Sequence, residues 1–142
     1  MEDPFNLQRF VDAQEPVFDA VLAELKARRK ESHWMWFIFP QLRHLGRSER
    51  ALFYGLAGAR EAMAYLAHPL LGPRLLTCTE LMLAARPRSA FEVLGSPDDL
   101  KFRSCLTLFA AQPEAPSVFS EAVRAFFEEP DVATIQYLKD KY

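Results

Sequence analysis

Proline punctuates this chain, with ten prolines against five glycines. Proline is tolerated in the first turn of a helix and disrupts a helix interior. Its spacing here predicts many short helices and no long one. In "DPFNLQRFV" Asp3 is placed to cap a helix with Pro4 in its first turn, and Leu7, Phe10 and Val11 form an apolar stripe. "EPVFDAVLAELKARRK" repeats the device with Pro16. Its Phe18, Val21, Leu22 and Leu25 share one face, and basic residues fill its last turn, where they suit the helix dipole. Ser48 caps "ERALFYGL". Gly58 and Ala59 restart a helix through "REAMAYLAHP", which ends near Pro69. "GPRLLTCTELMLAARP" stops before Pro87. "SAFEVLG" runs from a Ser89 cap to a closing Gly95. "SPDDLKFRSCLTLFAAQ" carries the strongest start signal, with Ser96 as cap, Pro97 in the first position, and Asp98 and Asp99 at the positive end of the dipole. "SVFSEAVRAFFEE" and "DVATIQYLKDKY", the latter capped by Asp131, complete the set.

No Asn-Gly hairpin signal and no row of alternating strands is present. The pattern predicts an all-α fold: a compact single-domain bundle of about seven to nine helices, several short. Residues 1–142 are expected to form that one domain. Half of the residues are hydrophobic, and a domain of this size can bury about 68–70% of its unfolded surface. Cys78 and Cys105 lie in apolar surroundings and read as buried free thiols of a reduced compartment. No signal-peptide pattern opens the chain, and no apolar run reaches the ~18 residues of a membrane span. A cytoplasmic location away from membranes is the expectation. The net charge of −2 and pI of about 5.9 argue against general nucleic-acid binding, which leaves a basic footprint. Two basic clusters, Lys26–Lys30 and Arg43–Arg50, read as solvated surface.

Few residues stand out for chemistry. His33, His44 and His68 show no metal-ligand spacing, and no CxxC, HExxH, GxSxG or phosphate-binding glycine loop occurs. No metal and no cofactor are expected. Two stretches embed polar groups in apolar sequence. "SHWMWFIFPQL" reads as a short buried helix or turn ended by Pro40, flanked by His33 and Gln41. Its Trp36 belongs either to a core aromatic cluster or to a stacking platform. A buried indole N–H needs a partner, and His33 and Gln41 are the polar groups at hand. In "DDLKFRSCLTLF", Lys101, Ser104 and Thr107 form a polar strip, and Arg103 follows Asp99 at ion-pair spacing. Lys101, Arg103 and Ser104 also have the chemistry to edge an anion pocket, with a point charge, a planar fork and a hydroxyl.

Four segments in this order, "DPFNLQRFVDAQ", "SHWMWFIFPQL", "AYLAHPLLGPRL" and "DDLKFRSCLTLF", resemble a bacterial family of unknown function whose members are often labelled "calpastatin" in genome annotation. The resemblance covers nearly the whole chain. It implies a helical domain, as in a mainly helical mycobacterial relative, and no established activity, substrate or cofactor. Asn6, Arg9, Gln14, His33, Trp34, Trp36, Phe37, Pro40, Gln41, His68, Pro69, Gly72, Asp98, Lys101, Arg103 and Ser104 stand in the matching segments. The calpastatin label fits poorly. An inhibitor of that kind is extended and low in hydrophobicity, whereas this chain reads as a packed helical domain.

Two readings follow. In the first, His33, Trp36, Gln41, Lys101, Arg103 and Ser104 line a site for a small anionic, partly planar ligand, with His33 able to transfer protons near neutral pH. In the second, the chain is a non-catalytic interaction module or homodimer. The same polar residues then act as structural ties, with Arg103 gripping backbone carbonyls.

Overall fold

The segment with the strongest helix-start signal becomes the central element. A computed structural model describes residues 2–141. Its α-helices are α1 (Gln8–Gln14), α2 (Phe18–Lys26), α3 (Met35–Ile38), α4 (Glu49–Tyr54), α5 (Ala59–Ala67), α6 (Leu71–Ala84), α7 (Ala90–Leu94), α8 (Asp98–Ala110), α9 (Val118–Phe126) and α10 (Val132–Lys141). A 3-10 turn spans Arg43–Leu45. Helix α8 packs against α5, α7, α9 and α10, while α6 packs against α2, α5 and α9. Phe102, Cys105, Leu106, Leu108 and Phe109 of α8 are completely buried. Surrounded on several sides, α8 has no single apolar stripe. The only strand-like pairing among the described residues is one parallel bridge, Leu42 with Leu56.

The fold is all-α, as the proline spacing predicts. Among the described residues there are ten α-helices, the addition to the nine proline-punctuated segments being the four-residue α3. The caps explain the starts. Ser48 accepts the amide of Ala51 at 3.1 Å. Ser89 and Glu92 form a reciprocal capping box, and Gly95 closes α7 at φ 80°. Asp131 Oδ2 accepts the amide and hydroxyl of Thr134. Asp3 acts at longer range than expected. Its carboxylate accepts the amides of Leu7 and Gln8, so a turn precedes α1. The predicted Ser96 cap does not form: α8 begins at Asp98 with no side-chain cap at its start. Asp99 makes no ion pair with Arg103. Asp98 instead pairs with Lys30 at 2.9 Å and lies 3.8 Å from Lys101.

Cys78 and Cys105 are free and buried. Burial pushes the Cys78 thiol up to about 12 and that of Cys105 well above the ordinary range. No helix among the described residues is long and apolar enough to cross a membrane.

Candidate functional site

The "SHWMWFIFPQL" stretch forms α3, ended by Pro40 as its sequence predicts. Trp34, Met35, Ile38, Phe39 and Leu42 of this stretch are buried. Trp36 is not. Its side chain turns to a cleft lined also by Met35, Phe39 and Gln41, by Ala51, Tyr54 and Gly55 of the α4 region, and by Lys101 of α8. Two cations rest on the Trp36 ring: Arg50 at 5.0 Å and Lys101 at 5.5 Å from the centroid. Arg50 has no carboxylate partner among the described residues, and Lys101 has only the distant Asp98. The Gln41 carboxamide makes no hydrogen bond to protein among those residues, although its backbone carbonyl accepts from Leu56 at 2.9 Å. With both cations parked, the cleft measures about 10 Å³, room for a single water.

Three of the six residues singled out from sequence, Trp36, Gln41 and Lys101, therefore meet in one place. The other three do not. His33 is exposed and bonds to nothing among the described residues. Arg103 faces the start of α10. Its Nε donates to the Glu129 carbonyl at 2.9 Å and its Nη2 to that of Pro130 at 3.1 Å, and the guanidinium lies 5.9 Å from the Phe127 ring. Ser104 donates to Asp131 at 3.0 Å, and Thr107 accepts the Asp131 amide at 2.8 Å. These are ties between α8 and α10.

Trp34 finds its indole partner elsewhere too. Nε1 donates to Glu24 Oε1 at 2.9 Å, and the same carboxylate accepts both amides of Glu31 and Ser32 and the Ser32 hydroxyl. Partial burial raises the acid's pKa, but these hydrogen bonds outweigh it and hold the carboxyl at about 2. His68 serves as a cap: its Nδ1 accepts the amides of Leu70 and Leu71 at the start of α6.

The buried ion pair between Arg9 and Glu61 escaped the sequence reading. Its 2.8 Å contact joins side chains that are 6% and 2% exposed. Arg9 also donates to the carbonyls of Phe5, Asn6, Phe53 and Gly55, and Glu61 accepts the Ala57 amide. Every strong donor of the guanidinium is engaged, so Arg9 is a clamp, and it reaches the Trp36 cleft through Gly55, whose carbonyl it holds. Nothing local to either residue signals the pair, which joins positions 52 apart. Among the described residues, no three His, Cys, Asp or Glu side chains group to hold a metal ion.

The chain belongs to the family described as a protein of unknown function (DUF1810), whose model matches residues 4–138. It is similar to a solved crystal structure, that of the conserved hypothetical protein Rv1873 from Mycobacterium tuberculosis. The two are 48% identical, the match covers 96% of this chain and 99% of that one, and the TM-score is 0.94. No curated protein matches the chain.

Proposed function

We propose, for this member of a family of unknown function, that the Trp36 cleft binds a small anionic ligand with a planar group, such as a nucleotide or nucleoside phosphate. One observation carries the reading. A partly exposed tryptophan face holds two cations, and neither cation is committed to a close carboxylate. A cation on an exposed ring is worth only ~0.5–1 kcal/mol. A stacked base is worth ~1–3 kcal/mol, and a charged group on phosphate gains more than on an aromatic face. Exchange is therefore downhill: the planar group takes the ring, and Lys101 or Arg50 swings to the phosphate. Gln41, with donor and acceptor both free, is placed to meet the edge of the planar group. The narrow cleft fits this account, because Lys101 lines it and its withdrawal would widen it. Arg103, Ser104 and His33 have no part in it, and no catalytic step is assigned.

The test is fluorescence. Trp34 is buried and bonded to Glu24, so a ligand on Trp36 should quench one of the two tryptophans. Adenosine 5′-monophosphate is expected to quench wild type. Trp36→Phe should remove the response, and Lys101→Ala should weaken binding at least five-fold. Absence of any quench or thermal shift with nucleotides and phosphorylated metabolites overturns the reading.

The second reading has support from exposed Leu52, Phe53 and Leu100, which suit an interaction face or homodimer. Light scattering at rising concentration separates the two, since a dimer that buries these residues doubles the mass. The packed core also supports treating the calpastatin label as a naming artefact. The purified protein is expected not to inhibit calpain.

A further inference from the structure

A second aromatic station lies next to the first. An open groove of about 390 Å³ is lined by Arg43, His44, Gly46, Leu52, Ala57 and Tyr137. The Tyr137 ring stacks on His44, with centroids 4.7 Å apart and planes 26° apart. Its hydroxyl donates to the Ala57 carbonyl at 3.3 Å, which fixes the ring's direction. Lys141 stands 5.9 Å from the ring centroid. The arrangement repeats that at Trp36: an aromatic face, partly exposed, with a cation parked on it.

The two stations share a wall. Gly55, which lines the Trp36 cleft, packs on Arg43, which lines the groove. A side chain at Gly55 would place Cβ 2.4 Å from the Arg43 Cα, so only glycine lets these segments close. Arg43 holds the Gly55 carbonyl through one long contact of 3.5 Å. Arg43, Arg47 and Arg50 have no carboxylate partner among the described residues. The only acid between positions 43 and 50 is Glu49. Unpaired positive charge thus gathers on the segment that joins two stacking faces.

We propose that the ligand of the Trp36 cleft carries two planar groups joined through phosphate, one on Trp36 and one on Tyr137, with the linking phosphates held by Arg43 and its neighbours. The proposal rests on the nucleotide reading of the Trp36 cleft and extends it. Aromatic faces interleaved with cations are the pattern by which nucleotide units are held without reading of sequence. A free dinucleotide and two adjacent units of a single strand share this chemistry. A net charge of −2 is not that of a chain that tracks a long duplex, which needs an extended basic face.

The experiment titrates the protein with three probes: adenosine 5′-monophosphate, two adenosines bridged by pyrophosphate, and single-stranded octathymidylate. Trp36 quenching reports the first station. The bridged compound or the octamer should bind at least five-fold tighter than the monophosphate. Tyr137→Ala should erase that gain and leave monophosphate binding unchanged. Arg43→Gln, a change at an exposed position, should also shrink the gain, read as the ratio of bridged-compound to monophosphate affinity because Arg43 also touches the Gly55 carbonyl of the first cleft. A gain with the octamer alone assigns the site to a single strand, and a gain with the bridged compound assigns it to a dinucleotide. No gain for either, or a gain that survives both variants, overturns the proposal while monophosphate binding still sustains the Trp36 reading. Silence from all three probes overturns both.

Discussion

Arg9→Ala tests whether the clamp behind the cleft is structural. The substitution removes five hydrogen bonds at once, to Phe5, Asn6, Phe53, Gly55 and Glu61. It leaves the Glu61 carboxylate 2% exposed with its cation gone and only the Ala57 amide as a partner. Breaking a buried pair from one side costs ~3–5 kcal/mol, mostly the stranded charge and not the lost attraction. For a chain of this size each kcal/mol lowers Tm by roughly 2–4 °C, so a fall of roughly 6–20 °C is expected. Urea unfolding followed by circular dichroism measures the loss directly, provided m is unchanged. The double variant Arg9→Met with Glu61→Leu strands no charge and should recover about half of the loss or more. A loss below ~1 kcal/mol for Arg9→Ala, or a double variant worse than the single, would refute the clamp.

Four further outcomes follow from contacts elsewhere in the fold. Lys101→Ala should change stability by less than ~1 kcal/mol, because its one ion pair is long and partly exposed. Arg103→Ala should cost ~1–2 kcal/mol by removing the bond to the exposed Glu129 carbonyl and stranding the part-buried Pro130 carbonyl, and equal losses for the two in thermal melts would void the division between site and tie. Glu24 is held at about 2 in the folded chain, below its unfolded value. Its stabilising effect is complete above the unfolded value and fades as pH falls towards 2, so Glu24→Gln should flatten the acid limb of a stability–pH curve, and an unchanged limb contradicts the assignment. Native protein should leave both thiols unreacted with Ellman's reagent at pH 8, and denaturant should release two; rapid native reaction would contradict their burial.

Helix boundaries were legible where local chemistry decides them. Ser48, Ser89, Gly95 and Asp131 act as their sequence contexts imply, because a cap bonds residues two to four places away. Ser96 failed for a similar local reason: the turn through Pro97 delays α8 to Asp98, and no side chain caps it. Asp3 lay between, with the right acceptor reaching over a longer turn. Long-range partners were not legible. Trp34 plainly needed an acceptor, but nothing in residues 32–42 points to Glu24, ten residues upstream on the adjoining helix. Arg9 and Glu61 are 52 positions apart, and each alone reads as a surface charge.

The geometry of α8 shows why the six residues do not all meet in one place. On α8, Lys101 and Arg103 are two residues apart, and successive residues on a helix turn by about 100°. Two steps carry a side chain to the far side of the helix, so one of this pair had to leave any site that held the other. Thr107 lies close to Arg103 on the helix, Ser104 lies between Lys101 and Arg103, and both Ser104 and Thr107 bond to Asp131. Lys101 alone looks towards Trp36. The basic residues of 43–50 were set aside as solvated surface because their sequence shows charge and not neighbours. Folded, they flank two aromatic rings instead of carboxylates. Gathered like charges repel, so the strip adds nothing to stability, and the nucleotide titrations decide whether an anion is what it serves.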